Sequence, residues 1–124
     1  MGGAQEEYTN EFIEYIEFED EIEDYPYWLV KCYSTRREAE KCYNKAVELN
    51  IPAILFEPLR RDLYYAVALY GDDKRLIEIG IPGVEAYAGQ VRVMELLRTH
   101  LIVKSNISSN ISEVINYVKN HKNY

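Results

Sequence analysis

Acidic side chains are concentrated at one end of this 124-residue chain, and their position limits which part can form a folded body. The first 30 residues contain ten Asp and Glu and no Lys or Arg, which gives them a charge of −10. The remaining residues carry 14 bases and 11 acids, for a charge of +3. This asymmetry is typical of an acidic arm attached to a mildly basic body. We predict an acidic arm over residues 1–25 and a single domain over residues 26–124.

The arm also contains aromatic and branched residues, in which disordered acidic tails are poor. They are Tyr8, Phe12, Ile13, Tyr15, Ile16, Phe18 and Ile22. We therefore expect the arm to dock on a basic protein surface. The predicted contact residues are Glu14, Glu17, Phe18, Glu19, Asp20, Glu21, Glu23 and Asp24. Two alternatives stay open: a solvated leader that aids solubility, and an arm that folds back on its own domain.

Composition excludes several classes of protein. With 124 residues, of which 48% are hydrophobic, the chain can build a core without metal or disulfide staples. Its apolar runs are only a few residues long, whereas a membrane span needs about 18. No basic residue precedes Lys31, so the basic region of a secretory leader is missing. We expect a cytoplasmic protein that does not enter membranes.

The first part of the body reads as a strand followed by a helix. Residues 28–33 form a short apolar and aromatic run, as in a buried strand. Thr35 and Glu38 then have the spacing of a capping box, which starts a helix. Apolar residues recur at helical spacing from there to Asn50, where Ile51 and Pro52 end the pattern.

Three strands are predicted next. Residues 53–56 form the first, and residues 63–70 form the second, for which a helix is the rival interpretation because eight residues do not settle the period. Gly71, Asp72 and Asp73 are a turn signal, so residues 75–81, with alternating isoleucines, are the natural hairpin partner.

The last part of the chain predicts two helices around a short strand. Apolar residues form one helical stripe over residues 84–101, residues 101–103 form the strand, and Asn110 caps a terminal helix. This order of elements predicts an α+β fold: a ferredoxin-like sandwich with a mainly antiparallel sheet, helices on one face, the acidic N-terminal extension and a C-terminal helix.

The strongest candidate anion site lies where the first strand enters the first helix. Backbone N–H groups at a helix N-terminus favour an anion, and basic side chains there oppose the helix dipole unless an anion compensates. The predicted ligands are Ser34, Thr35, Arg36, Arg37 and Lys41. The alternative, which we weight more heavily, is that Thr35 only caps the helix while the arginines pair with nearby glutamates.

Two further patterns suggest nucleic-acid chemistry. The sequence Tyr70-Gly71-Asp72-Asp73 resembles the two-carboxylate hairpin of polymerase palm domains, but the neighbouring strand lacks the third acid and the turn is common in hairpins. A second pattern is a tyrosine platform on one sheet face, with basic residues at its edge. Its members are Tyr27, Tyr33, Tyr64 and Tyr70, with Arg60, Arg61, Lys74 and Arg75. The net charge of −7 opposes direct nucleic-acid binding.

The remaining candidates for chemistry are isolated. Cys32 and Cys42 read as buried thiols, and neither His100 nor His121 has a partner at zinc-ligand spacing. No metal or cofactor is predicted. A non-catalytic binding module or inhibitor is therefore favoured over an enzyme. The alternative is a phosphate-directed enzyme or nucleotide-binding domain that uses Arg36, Arg37 and the Asp72/Asp73 turn, and a homodimer is also compatible with the sequence.

Overall fold

A computed structural model describes residues 26–78, 89–108 and 110–121. These residues contain four strands and four helices. In chain order they are β1 (Tyr27–Tyr33), α1 (Arg36–Glu48), β2 (Ala53–Pro58), β3 (Tyr65–Gly71), α2 (Asp73–Glu78), α3 (Gly89–Thr99), β4 (His100–Ser105) and α4 (Ile111–Asn120). The α+β class is confirmed. No helix in the described ranges has the length and apolar character needed to cross a bilayer.

Hydrogen bonds from nearby residues cap helix α1 at both of its ends. Thr35 has extended backbone, and its hydroxyl accepts the Glu38 N–H at 3.2 Å, so the predicted N-cap is confirmed. At the other end Asn50 has a φ of 59°, in the left-handed region that Asn tolerates better than most residues. The Ile51 N–H bonds to the Ala46 carbonyl and the Asn50 N–H to that of Val47, which is a Schellman motif.

The four strands form one antiparallel sheet in the order β1-β3-β2-β4. The predicted strand over residues 63–70 is confirmed as β3, which lies between β1 and β2. Strands β1 and β4 are the two edges. The β2–β4 pairing contains an irregularity between Leu55 and Phe56.

Helices cover both faces of the sheet, so the prediction of helices on one face is wrong. The β1-α1-β2 and β3-α3-β4 connections each cross one intervening strand in the same direction, but β1 and β3 run antiparallel. Right-handed crossovers therefore place α1 and α3 on opposite faces. Strand β4 lies beside β2 in this structure, and that position could not be read from the order of elements.

Each face has its own apolar core, as the two-residue alternation of the strands requires. The α1 side contains Leu29, Leu55, Val67 and Leu69 together with Ala39, Tyr43 and Ala46 of α1. The other side contains Trp28, Ile54, Phe56, Ala66 and Ala68 with Val93 and Leu96 of α3 and Val114 and Val118 of α4. A sheet buried on both faces explains why β2 and β3 are almost continuously apolar.

The predicted strand over residues 75–81 is wrong for its described part, because residues 75–78 belong to α2. The Asp72 carboxylate accepts the Arg75 N–H at 3.0 Å, and the Leu76 N–H bonds to the Asp72 carbonyl at 3.0 Å. Asp72 is thus a helix cap rather than part of a hairpin turn. Leu76 is fully buried in the α1-side core.

Candidate functional site

The predicted partner-contacting residues of the arm lie outside the described residues. They are Glu14, Glu17, Phe18, Glu19, Asp20, Glu21, Glu23 and Asp24. Their role remains a prediction.

At the predicted anion site, a glutamate of the helix itself lies over the N-terminus of α1. The hydroxyl groups of Ser34 and Thr35 lie 3.3 and 3.2 Å from one Glu38 carboxylate oxygen, and the Glu38 N–H bonds back to Thr35. An acid in the first turn complements the helix dipole. The structure therefore brings Ser34, Thr35 and Glu38 together in a cap.

The basic residues of the predicted anion site separate into paired and exposed groups. Arg36 Nε donates to Glu40 at 3.0 Å, and Arg36 Nη1 lies 3.7 Å from Glu57, while Lys104 lies 3.9 Å from Glu40. The hydrogen bond to Glu40 raises the pKa of Arg36. The pairing of Arg36 with a nearby glutamate is the alternative that the sequence left open. Arg37 and Lys41 are exposed on α1.

Around α2, charged side chains join elements of the fold. Asp72 caps α2, and the guanidinium of Arg75 donates to the carbonyls of Leu49 and Asn50 at the end of α1. A cation at a helix C-terminus satisfies its free carbonyls and complements the dipole. Across the described part of the chain, no three His, Cys, Asp or Glu side chains form a group that could hold a metal ion.

The two cysteines lie on opposite sides of the sheet. Cys42 of α1 is partly buried beside Tyr33 in the α1-side core, and burial raises the pKa of both groups, with their mutual hydrogen bond raising that of Tyr33 further. Cys32 is exposed, so the prediction of a buried thiol there is wrong. In β1 its side chain alternates with that of Tyr33 and so points away from α1, with Arg92 Nη2 at 3.5 Å from its sulfur.

The predicted tyrosine platform does not form. Tyr27 and Tyr33 lie on the α1 side of β1, where Tyr27 is buried, and Tyr70 packs on the opposite face. Tyr64 precedes β3 and is exposed. The residues therefore cannot present one stacking surface, because the strand register separates them.

An aromatic cluster that sequence reasoning missed joins the C-terminal helix to the sheet. Trp28 Nε1 donates to the His121 carbonyl at 2.7 Å, and its ring lies 5.0 Å from that of Tyr70 and 5.9 Å from that of Tyr117. The His121 ring stacks on Tyr117 at 3.8 Å. These contacts join residues up to 93 positions apart, so no local sequence pattern predicts them.

His100, also missed as a structural residue, connects the β2–β3 loop to the start of β4 from a buried position. It is 8% exposed, with Nε2 at 2.7 Å from the Tyr64 carbonyl and Nδ1 at 2.7 Å from Thr99 Oγ1. Because a carbonyl oxygen only accepts, Nε2 donates to Tyr64. Nδ1 lies beside the Thr99 hydroxyl, which also donates to the Glu95 carbonyl at 3.3 Å. This bridge fixes the β2–β3 loop against the start of β4.

Beside that bridge, three large apolar side chains reach solvent. Leu59 is 55% exposed, Tyr64 61% and Leu101 57%. Their backbones lie at the same end of the sheet, because the Leu59 N–H bonds to the Thr99 carbonyl at 3.1 Å and the Tyr64 carbonyl bonds to His100. Three arginines accompany them in the β2–β3 loop and the last turn of α3. We call the set of six the loop corner: Leu59, Arg60, Arg61, Tyr64, Arg98 and Leu101.

Comparison with protein-family models, curated proteins and solved structures found no match for this chain. The candidate sites are therefore interpreted from their own geometry.

Proposed function

We propose that this chain is a non-catalytic protein-binding module or inhibitor whose acidic arm engages a basic surface of a partner protein. The observation that carries the proposal is the concentration of ten carboxylates, and no bases, in the first 30 residues. Such a segment creates a strong local negative potential, which steers association with a basic surface and favours the matching partner.

The aromatic residues of the arm narrow the kind of partner. Surfaces that bind single-stranded nucleic acid combine basic side chains with aromatic rings on which bases stack. Carboxylates interspersed with Tyr and Phe can imitate both the charge of the backbone and the stacked rings. A partner that normally holds nucleic acid therefore fits the chemistry of the arm.

The described body supports binding over phosphate-directed chemistry. Two residues that the alternative function would use have structural partners: Arg36 pairs with Glu40, and Asp72 caps α2. The alternative still has one favourable feature, since Arg37 and Lys41 are exposed near the N-terminus of α1. A thermal-shift screen of nucleotides with and without Mg²⁺ tests it. A ligand at 100 times its dissociation constant would add about 2.7 kcal/mol of stability.

The proposed function is tested by affinity capture with three forms of the chain. One is unaltered, one lacks residues 1–24, and one has all ten arm carboxylates replaced by amides. A matched control replaces two exposed body acids, E48Q and E95Q. We expect a protein captured by the unaltered chain and the control to be lost from both arm variants and to be released by a several-fold increase in salt. If the same protein is captured without the arm and at high salt, the proposal is excluded.

A further inference from the structure

The loop corner combines three exposed apolar side chains with positive charge. Arg60 is partly neutralised by Asp62, with Nε at 3.0 Å from its carboxylate, and this contact lowers the pKa of Asp62. Arg61 and Arg98 are exposed and form no ion pair with any other described residue. Among the other nearby acids, Glu95 is exposed and lies one turn before Arg98 on α3, while Glu57 pairs across the strands with Leu101 and lies 3.7 Å from Arg36.

From these observations we infer that the loop corner binds the acidic arm of the same chain, at residues 8–18. This inference rests on the proposed function and adds regulation to it, since a partner must displace the arm from the corner. The arm has the chemistry that the corner needs: carboxylates for the arginines, and rings for the exposed leucines and Tyr64. Its predicted residues Glu14, Glu17 and Phe18 fall in the docking segment.

The length of the arm permits this contact. Strand β1 starts at Tyr27, which pairs with Gly71, whereas the corner lies near the other end of the sheet, where Tyr33 pairs with Tyr65. Because helices cover both faces of the sheet, the arm must follow the β1 edge for six residue steps at about 3.3 Å and then the end of the sheet for three strand spacings at about 4.8 Å, a path of about 34 Å. About ten extended residues span that distance, so the chain from about residue 17 towards the N-terminus can reach the corner.

Tethering makes weak contacts sufficient. A single exposed ion pair contributes only about 0.2–1 kcal/mol, but a segment attached to its binding surface acts at a local concentration of the order of millimolar. The contact is therefore expected to be occupied within one chain and still reversible by a competing basic surface. Because exposed pairs are screened, high salt also opens it.

Carbodiimide cross-linking of the full chain tests the contact, because the reagent joins carboxylates to neighbouring lysine amines. R61K places such an amine in the corner and keeps the charge. R37K is the matched control on the exposed face of α1. In R61K we expect links from Glu14 or Glu17 to position 61 at least threefold more often than R37K gives to position 37. Replacing Leu59 and Leu101 by Ser in the R61K background should reduce those links at least threefold.

Two results would overturn the inference. One is equal linking to positions 61 and 37, which would indicate a freely moving arm. The other is linking between chains in a mixture of ¹⁴N- and ¹⁵N-labelled protein, which would assign the corner to a second copy. Linking within one chain that depends on both leucines supports it.

The capture assay tests separately whether the corner competes with the partner for the arm. R61E combined with R98E frees the arm and should raise arm-dependent capture by up to about tenfold. Unchanged capture would refute the competition. Loss of all arm dependence in the unaltered chain would refute the proposed function and leave the cross-linking result standing.

Discussion

Helix α3 approaches β1 so closely that its first residue has no space for a side chain. A Cβ atom built on Gly89 would lie 2.7 Å from the Trp28 carbonyl carbon and 2.9 Å from the Trp28 Cβ, and closer still to the carbonyl oxygen. Trp28 is fully buried, so neither its backbone nor its side chain can move freely. We therefore expect Gly89→Ala to separate α3 from β1 and to destabilise the fold.

The magnitude follows from two opposing terms. Alanine is favoured over glycine in a helix by about 1 kcal/mol, whereas overpacking against a buried core costs about 3 kcal/mol when the neighbour cannot shift. The net loss is about 2 kcal/mol. At about 2.1 cal/mol/K per residue, 124 residues have an unfolding entropy of about 0.26 kcal/mol/K, so Tm should fall by about 8 °C.

Urea unfolding followed by fluorescence measures this loss directly, because Trp28 is the single tryptophan and lies at the contact. Gly71→Ala is the matched control. A Cβ there would meet Arg75 at 3.6 Å and Leu76 at 3.8 Å, which are ordinary contacts, so its effect should stay within about 0.5 kcal/mol. If Gly89→Ala were as stable as the unaltered chain, the close packing of α3 on β1 would be refuted.

Four other outcomes are expected. Position 50 has a left-handed φ, so Asn50→Ala should lower the free energy of unfolding in urea by about 1 kcal/mol, whereas Asn50→Gly should not. Equal losses in the two variants would contradict the cap. His100→Phe keeps a ring but leaves the Tyr64 carbonyl without its donor, so it should cost about 1–3 kcal/mol by the same assay. Tyr33 and Cys42 have raised pKa values in the fold, so above about pH 9 the unfolded chain releases protons that the folded chain retains. The free energy of unfolding should therefore fall between about pH 8 and 10.5, and it should fall less in Tyr33→Phe. Iodoacetamide should modify exposed Cys32 well before Cys42, and equal rates would contradict their placement.

Features that depend on neighbouring residues were predictable from the sequence. The Thr35 cap, the end of α1 near Asn50 and the Asn110 cap of α4 each follow from side chains within a few positions of the backbone groups they satisfy. The strand over residues 63–70 was predicted with a helix as its rival, and the structure decides for the strand. In α2, by contrast, the turn signal of Gly71 and Asp72 also fits a helix cap, and the sequence offers no local means of choosing.

Features that depend on strand order could not be predicted. The position of β4 beside β2 decides on which face α3 lies, and that face decides the surroundings of individual residues. Alternation places Cys32 and Tyr33 on opposite faces, but which helix covers each face depends on the strand order. At the anion site, the sequence offered pairing of the arginines with nearby glutamates as an alternative. The side-chain geometry was needed to identify Glu40 as the partner of Arg36.

The same strand order explains why the loop corner is exposed. Helix α1 packs across β1, β2 and β3, while β4 is a fourth strand at the edge beyond it. Leu101 lies on the α1 side of β4, opposite Glu57, and no helix within the described residues covers it. Single exposed leucines are common on proteins, but here the uncovered strand face lies at the same end of the sheet as the loop that contains Leu59, Arg60, Arg61 and Tyr64, with Arg98 at the end of α3 on the other face. An acidic, aromatic segment complements that combination better than it complements the exposed charges of α1, and the arm of this chain has that composition.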